Sequence, residues 1–245
     1  MSGERVEIET LVHQAWPAPH QEAIGGWILR YADGVTKRAN SVLAWGEPDN
    51  LDEAVGAAEK FYAERGLPCV FSIGPRATSR LDAFLADRGY RLVDQALYMT
   101  ALLDGETPRP AHHATIADEP SGDWLATWWE VDGRFDRGLE TAERIARGVP
   151  ASYATVEEDG APLAVGRSVL QDGMLGIYCM ATVPAARRRG LGRSVLRALL
   201  AHGRARGATG AYLVVLARNT TAIAMYAAEG FTPAGRYHYR VSTPA

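Results

Sequence analysis

The run Val183-Pro-Ala-Ala-Arg-Arg-Arg-Gly-Leu-Gly-Arg193 constrains this chain more than any other stretch. Asp172-Gly173 marks a turn, and residues 173–183 after it read as a buried strand. Leu191, Val195, Leu196, Leu199 and Leu200 then repeat at helical spacing as far as Gly203. The run is therefore a tight connection from a strand into a helix. The first N–H groups of a helix have no partner inside it, and the helix dipole favours an anion there. Gly190 and Gly192 let the backbone approach a ligand closely. Arg187, Arg188 and Arg189 add charge-assisted donors that match phosphate oxygens. The connection suits a pyrophosphate. Two other phosphate loops are excluded. Val195 stands where a dinucleotide fingerprint needs its third glycine, and no Lys-Ser or Lys-Thr pair follows the glycines as in a P-loop.

Past the helix, Ala211-Tyr-Leu-Val-Val-Leu216 reads as an apolar strand. Asn219 to Phe231 reads as a helix capped by Asn219 and closed at Gly230. Two motifs thus follow in order: Arg187-x-x-Gly190-x-Gly192 behind Val183-Pro184, then Asn219 with Ala222, Tyr226 and Gly230-Phe231. In these the chain resembles the GNAT superfamily of acyl-CoA-dependent N-acyltransferases, over roughly residues 112–245. The resemblance implies transfer of acetyl from acetyl-CoA to a primary amine of a small molecule or peptide, without a metal. Pantetheine would pair with backbone near Met180, Ala181 and Val183, as an added strand does. The pyrophosphate would lie on Arg187, Arg188, Arg189, Gly190, Leu191, Gly192 and Arg193. Asn219 would hold the arm from the other side, or serve as a plain helix cap. Tyr226 matches the family's general acid, although its apolar neighbours also allow a packing role. Backbone N–H groups of Met180 and Ala181 could stabilise the oxyanion. Glu130, Glu157, Tyr178 or a water chain stand as candidates for the general base. A non-catalytic acyl-CoA-binding module is the alternative, and Tyr226 separates the two, since a binder needs no acid.

The remaining elements follow the same order. His113–Ile116 reads as a short strand, residues 123–130 and 139–146 as helices, and residues 152–156 and 163–170 as a hairpin. Trp124 and Trp128 share a helix face, as a core pair or, with Trp129, as an aromatic wall beside the acceptor. A hydrophobic share of 47% and a charged share of 22% fit a globular chain, and a net charge of −3 argues against nucleic-acid binding. No apolar run has membrane-spanning length, and the charged N-terminus lacks an apolar signal region. Cys69 and Cys179 lie in apolar runs and read as buried free thiols, and the six histidines lack metal-ligand spacing. The cytoplasm is the expected compartment.

The N-terminal part is not unrelated sequence. Arg65-Gly66 and Arg206-Gly207, Gly89-Tyr90 and Gly230-Phe231, and Val42 and Val183 are each 141 residues apart. One ungapped shift thus predicts a repeated strand, helix, strand and helix. The expected fold is α/β with two GNAT-like domains, residues 1–106 and 111–245, each a twisted mixed sheet flanked by helices and joined by Thr107–Pro110. At that offset Arg187–Gly192 become Gly46-Glu-Pro-Asp-Asn-Leu51, and Tyr226 becomes Leu85. The arginines and glycines are gone and acids have arrived, so the N-terminal copy is expected to have lost the cofactor. Residues 25–42 read as two strands around Asp33-Gly34, on which Trp27, Arg30, Arg38 and Asn40 face either a ligand or an ordinary sheet surface.

Overall fold

The computed structural model describes residues 7–105, 108–132 and 138–243. Residue 106, the expected domain limit, and Thr107 of the expected connector lie outside the described residues. In chain order the elements are α1 (Ile8–Ala15), β1 (His20–Ile24), β2 (Trp27–Tyr31), β3 (Val42–Leu43), α2 (Leu51–Ala63), β4 (Val70–Ile73), α3 (Ser79–Asp87) and β5 (Arg91–Leu102). There follow β6 (Thr115–Ala117), α4 (Gly122–Asp132), α5 (Leu139–Ala146), β7 (Ser152–Glu158), β8 (Ala161–Gln171), β9 (Met174–Thr182), α6 (Leu191–Ala205), β10 (Gly210–Leu216), α7 (Thr220–Ala228) and β11 (Thr232–Val241).

All these strands form one sheet of eleven, in the order β1-β2-β3-β4-β11-β5-β10-β9-β8-β7-β6. The expectation of a separate sheet in each part therefore gives way to a single continuous one. The reason lies in the two long strands. β5 pairs with β10 on one side and β11 on the other, and β11 pairs with β4. An unpaired sheet edge attracts another strand, and here the last strand of each part covers the open edge of the other.

Alternation along the strands sends side chains to two faces. On one face α1, α4 and α5 bury Leu11, Trp124, Trp128 and Ile145 against Tyr98, Tyr178, Tyr212 and Tyr239. On the other, α6 and α7 pack over Leu175, Ile177 and Leu213. There too α2 and α3 cover Trp27, Val42 and Phe71.

The 141-residue shift holds in some elements and fails in others. α3 and α7 differ by it at both ends, as do the first residues of β5 and β11. In β4 it fails, because Phe71 packs under α2 whereas Tyr212 belongs to the opposite face; a slip of one residue turns every side chain over. In β3 it fails too. Val42 sits beside Phe71 as Ile177 sits beside Leu213, so Val42 corresponds to the paired part of β9 and not to Val183. The two strands around Asp33-Gly34 are β2 and β3, which pair antiparallel. The hairpin of β1 and β2 around Gly25-Gly26 was not expected from the sequence, although both glycines adopt positive φ.

Candidate active site

The parallel pairing of β9 with β10 ends at Ile177 and Leu213. β9 nevertheless continues to Thr182 and β10 to Leu216. Between those ends the two strands part, and the backbone edge of β9 turned towards β10 has no strand beside it. A bulge helps to open the gap: the β8–β9 register shifts between Val165 and Arg167, and Cys179 adopts φ 50°. A cavity of about 1140 Å³ occupies the split. Its lining includes Leu191 and Tyr226 from one face of the sheet and Trp16 and Trp128 from the other. The cleft therefore passes through the sheet.

The connection from β9 to α6 forms one mouth. Gly190 is the helix cap residue, at φ 83°, and no side chain caps the helix. The first amides of α6 are thus left for a ligand. A Cβ on Gly192 would meet Thr182 Oγ1 at 3.1 Å, so this glycine keeps the loop tight against β9. Arg188 makes no ion pair among the described residues and lines the cavity, as do Met180, Ala181, Arg187, Gly190, Leu191, Gly192, Arg193 and Asn219. Two expected residues behave differently. Arg189 turns away to Glu158, at 2.6 and 3.1 Å, and holds that carboxyl below its usual range. Val183 lies outside the lining, its N–H donating to Leu163 O at 2.9 Å. Arg193 lines the cavity but shares Glu229 with Arg197. Asn219 Oδ1 accepts the Ala222 N–H at 3.1 Å, so it caps α7 and faces the cleft at once. These donors fit an acyl-CoA diphosphate: uncapped helix amides, a free arginine, and a glycine where a side chain would collide.

Tyr226 enters the cleft from α7, edge-on to Phe231. Among the described residues no hydrogen bond holds its hydroxyl. Burial pushes the phenol up to about 12, so it stays protonated at neutral pH. Of the candidate bases only Tyr178 reaches the cavity; Glu130 and Glu157 are exposed and outside its lining. The Tyr178 hydroxyl donates to Tyr212 at 2.9 Å, and burial pushes it too up to about 12. A phenol held in this way is a poor base.

Comparison with known proteins supplies the family. The model of a family described as "Probable histone acetyltransferase Rv0428c C-terminal" matches residues 4–240. "Uncharacterized N-acetyltransferase YobR" of Bacillus subtilis is 31% identical over 241 residues, covering 96% of this chain and 97% of the relative. The chain belongs to the GNAT family of N-acetyltransferases. Two solved structures share its fold. A GCN5-related N-acetyltransferase from Kribbella flavida superposes with a TM-score of 0.71 at 17% identity, over 97% of this chain and 95% of that one. A "Tandem GNAT protein from the clavulanic acid biosynthesis pathway" gives 0.65 at 14%, over 100% and 90%.

The far side of the acetyltransferase cleft holds residues that sequence reasoning largely missed. Trp16 at the end of α1, Asp94 and Ala96 of β5, and Tyr237 and Tyr239 of β11 all line it. They come from across the chain and carry no local motif. Arg38, one of four residues left open between ligand and surface, is here the one that lines the cavity. Trp27 is buried against Phe71, Arg30 is tied to Ser41, and Asn40 bonds the backbone of the preceding turn. Trp124 is a core residue, its Nε1–H donating to Ala154 O at 3.1 Å, whereas Trp128 and Trp129 reach the cleft. No helix among the described residues is long and apolar enough to cross a membrane.

Proposed function

We propose that this acetyltransferase moves the acetyl group of acetyl-CoA to a primary amine of a small molecule or peptide. The observation that carries the reading is the cleft itself, which runs from the uncapped start of α6, past Tyr226, through the sheet to an aromatic chamber. Acetyl-CoA supplies the activated thioester. Its pyrophosphate rests on the amides at residues 190–193 with Arg187 and Arg188, and its arm lies along the unpaired edge of β9 at Met180 and Ala181. The amine arrives from the other face. The neutral amine nitrogen bonds to the carbonyl carbon and releases one proton to water, the carbon–sulfur bond breaks, and Tyr226 gives its proton to the departing sulfur and regains one from solvent. The Met180 and Ala181 amides steady the carbonyl oxygen.

The N-terminal part, residues 1–106, is on this reading a GNAT-like copy that has lost its cofactor and now walls the acceptor chamber of residues 111–245. Arg38 and Asp94 in the lining support that role, as does the tandem GNAT neighbour. Cys69 and Cys179 form no disulfide among the described residues, which suits a reducing compartment, the cytoplasm. The test is calorimetric titration with acetyl-CoA, followed by thiol release against a panel of amines. One site and amine-dependent thiol are expected. Tight binding with no amine-dependent thiol would favour a binding module, and no binding would sink the reading.

A further inference from the structure

The acceptor end of the cleft is rich in hydrogen-bond donors that have nothing to bond. Arg38 Nε and Trp128 Nε1 belong to residues lining it, and both atoms are buried without a partner. Behind the stacked rings of Trp16 and Tyr178, whose centres are 6.2 Å apart, lies Arg167, with 0% of its surface exposed. One of its N–H groups donates to Ala15 O at 3.0 Å, while Nε and Nη2 have no partner. The guanidinium carbons of Arg38 and Arg167 lie 5.8 and 5.7 Å from the Tyr178 ring centre. No carboxylate pairs with either arginine among the described residues. The acid in the lining, Asp94, is taken by Lys37 at 2.9 Å and Arg218 at 3.0 Å.

A buried donor without an acceptor is destabilising, and a buried cation without a counter-charge is more so. Such a set persists where a ligand completes it. The completing group must accept several hydrogen bonds, donate none and carry negative charge. We propose that the acceptor amine also bears an anionic oxygen group, a carboxylate or a phosphate monoester. This group docks on Arg38 and the Trp128 indole N–H, while Arg167 strengthens the positive field from beneath. The rings of Trp16, Tyr178 and Tyr237 take the apolar body of the acceptor. The same field disfavours polybasic segments. This inference rests on the acetyl-CoA reading above and narrows its substrate.

Matched probes test it: 4-aminobutyrate against butylamine, phenylalanine against phenethylamine, and phosphoethanolamine against ethanolamine. Each is titrated calorimetrically into CoA-saturated protein and then assayed for thiol release from acetyl-CoA. The anionic member of at least one pair should bind roughly 10- to 100-fold more tightly, as befits a charge-assisted contact. The responding pair separates carboxylate from phosphate. Arg38→Gln should remove the difference and Arg38→Lys should restore part of it, with acetyl-CoA binding by both variants reporting an intact fold. Equal binding within every pair, a preference for plain amines, no binding by any anionic probe, or a preference that survives Arg38→Gln would each overturn the proposal. A protein that does not bind acetyl-CoA at all would overturn the underlying reading instead.

Discussion

The molecule has two places where parallel strands lead into a helix, and only one of them forms a cleft. In the C-terminal part β9 outruns its pairing with β10, and Tyr178–Thr182 leave an open edge. In the N-terminal part β3 stops at Leu43, its last residue paired with β4. The helix starts differ as well. α6 begins at an uncapped glycine behind arginines. α2 begins at Asn50, whose side chain accepts from the Asp52 and Glu53 amides, and its first turn is acidic. The space beyond β4 is also filled. Glu9 of α1 accepts the Arg76 N–H at 2.8 Å, and a Cβ on Gly74 would stand 2.0 Å from its carboxylate. One fold motif is thus left open to an anion or closed to it according to strand length, capping and charge at a few positions.

The sharpest way to break the comparison is to exchange charge at the helix starts. Gly192→Asp puts a carboxylate where the diphosphate should lie and against Thr182. Acetyl-CoA affinity should fall by roughly 100-fold or more, from repulsion added to lost amide contacts. Asp49→Arg in the other part should leave the calorimetric stoichiometry at one; a second acetyl-CoA site appearing there would show that charge alone closed it.

Tyr226→Phe should lower kcat by about 100-fold at neutral pH, within the range for a lost general acid, with KM for acetyl-CoA little changed. Unchanged turnover across the pH range would reduce Tyr226 to a packing residue. A smaller effect concerns α1. Burial raises the Glu9 carboxyl above its ordinary 4.5, against the opposing pull of the Arg76 amide and charge. The folded protein therefore holds that proton more tightly than the unfolded chain, and this contribution is full below about pH 4.5 and lost as pH rises through the raised value. Urea melts of Glu9→Gln should show a flatter fall in stability over that window than wild type. Identical profiles would mean that α1 carries no such strain.

What the sequence made legible was whatever is written locally. The Arg187–Arg193 connection, the Asn219 cap and Tyr226 sit on contiguous motifs, and all of these residues but Arg189 line the cleft. α5 runs over the expected residues 139–146 because Ala142, Ile145 and Ala146 mark one apolar stripe. The hidden features depend on long-range pairing. β1, His20–Ile24, is a largely exposed edge strand with no apolar alternation, so only its Gly25-Gly26 turn could have marked it. α1 is short, and its stripe of Leu11, Val12 and Ala15 went unread. The loss of Arg189 to Glu158 needed the β7–β8 hairpin in place, which no spacing within the loop reveals.

The crossed strands set a condition on the order of events at the ribosome. β5 finds its sheet partners only in β10 and β11, and the latter ends at Val241. At bacterial or eukaryotic translation speeds, Leu102 waits roughly ten to thirty seconds after its own synthesis for that partner to emerge. Until Leu216 is made, a twelve-residue strand has both hydrogen-bonding edges exposed, and until Val241 is made it still has one. Such a nascent chain needs cover during synthesis, and its sheet closes only after Val241 has been made.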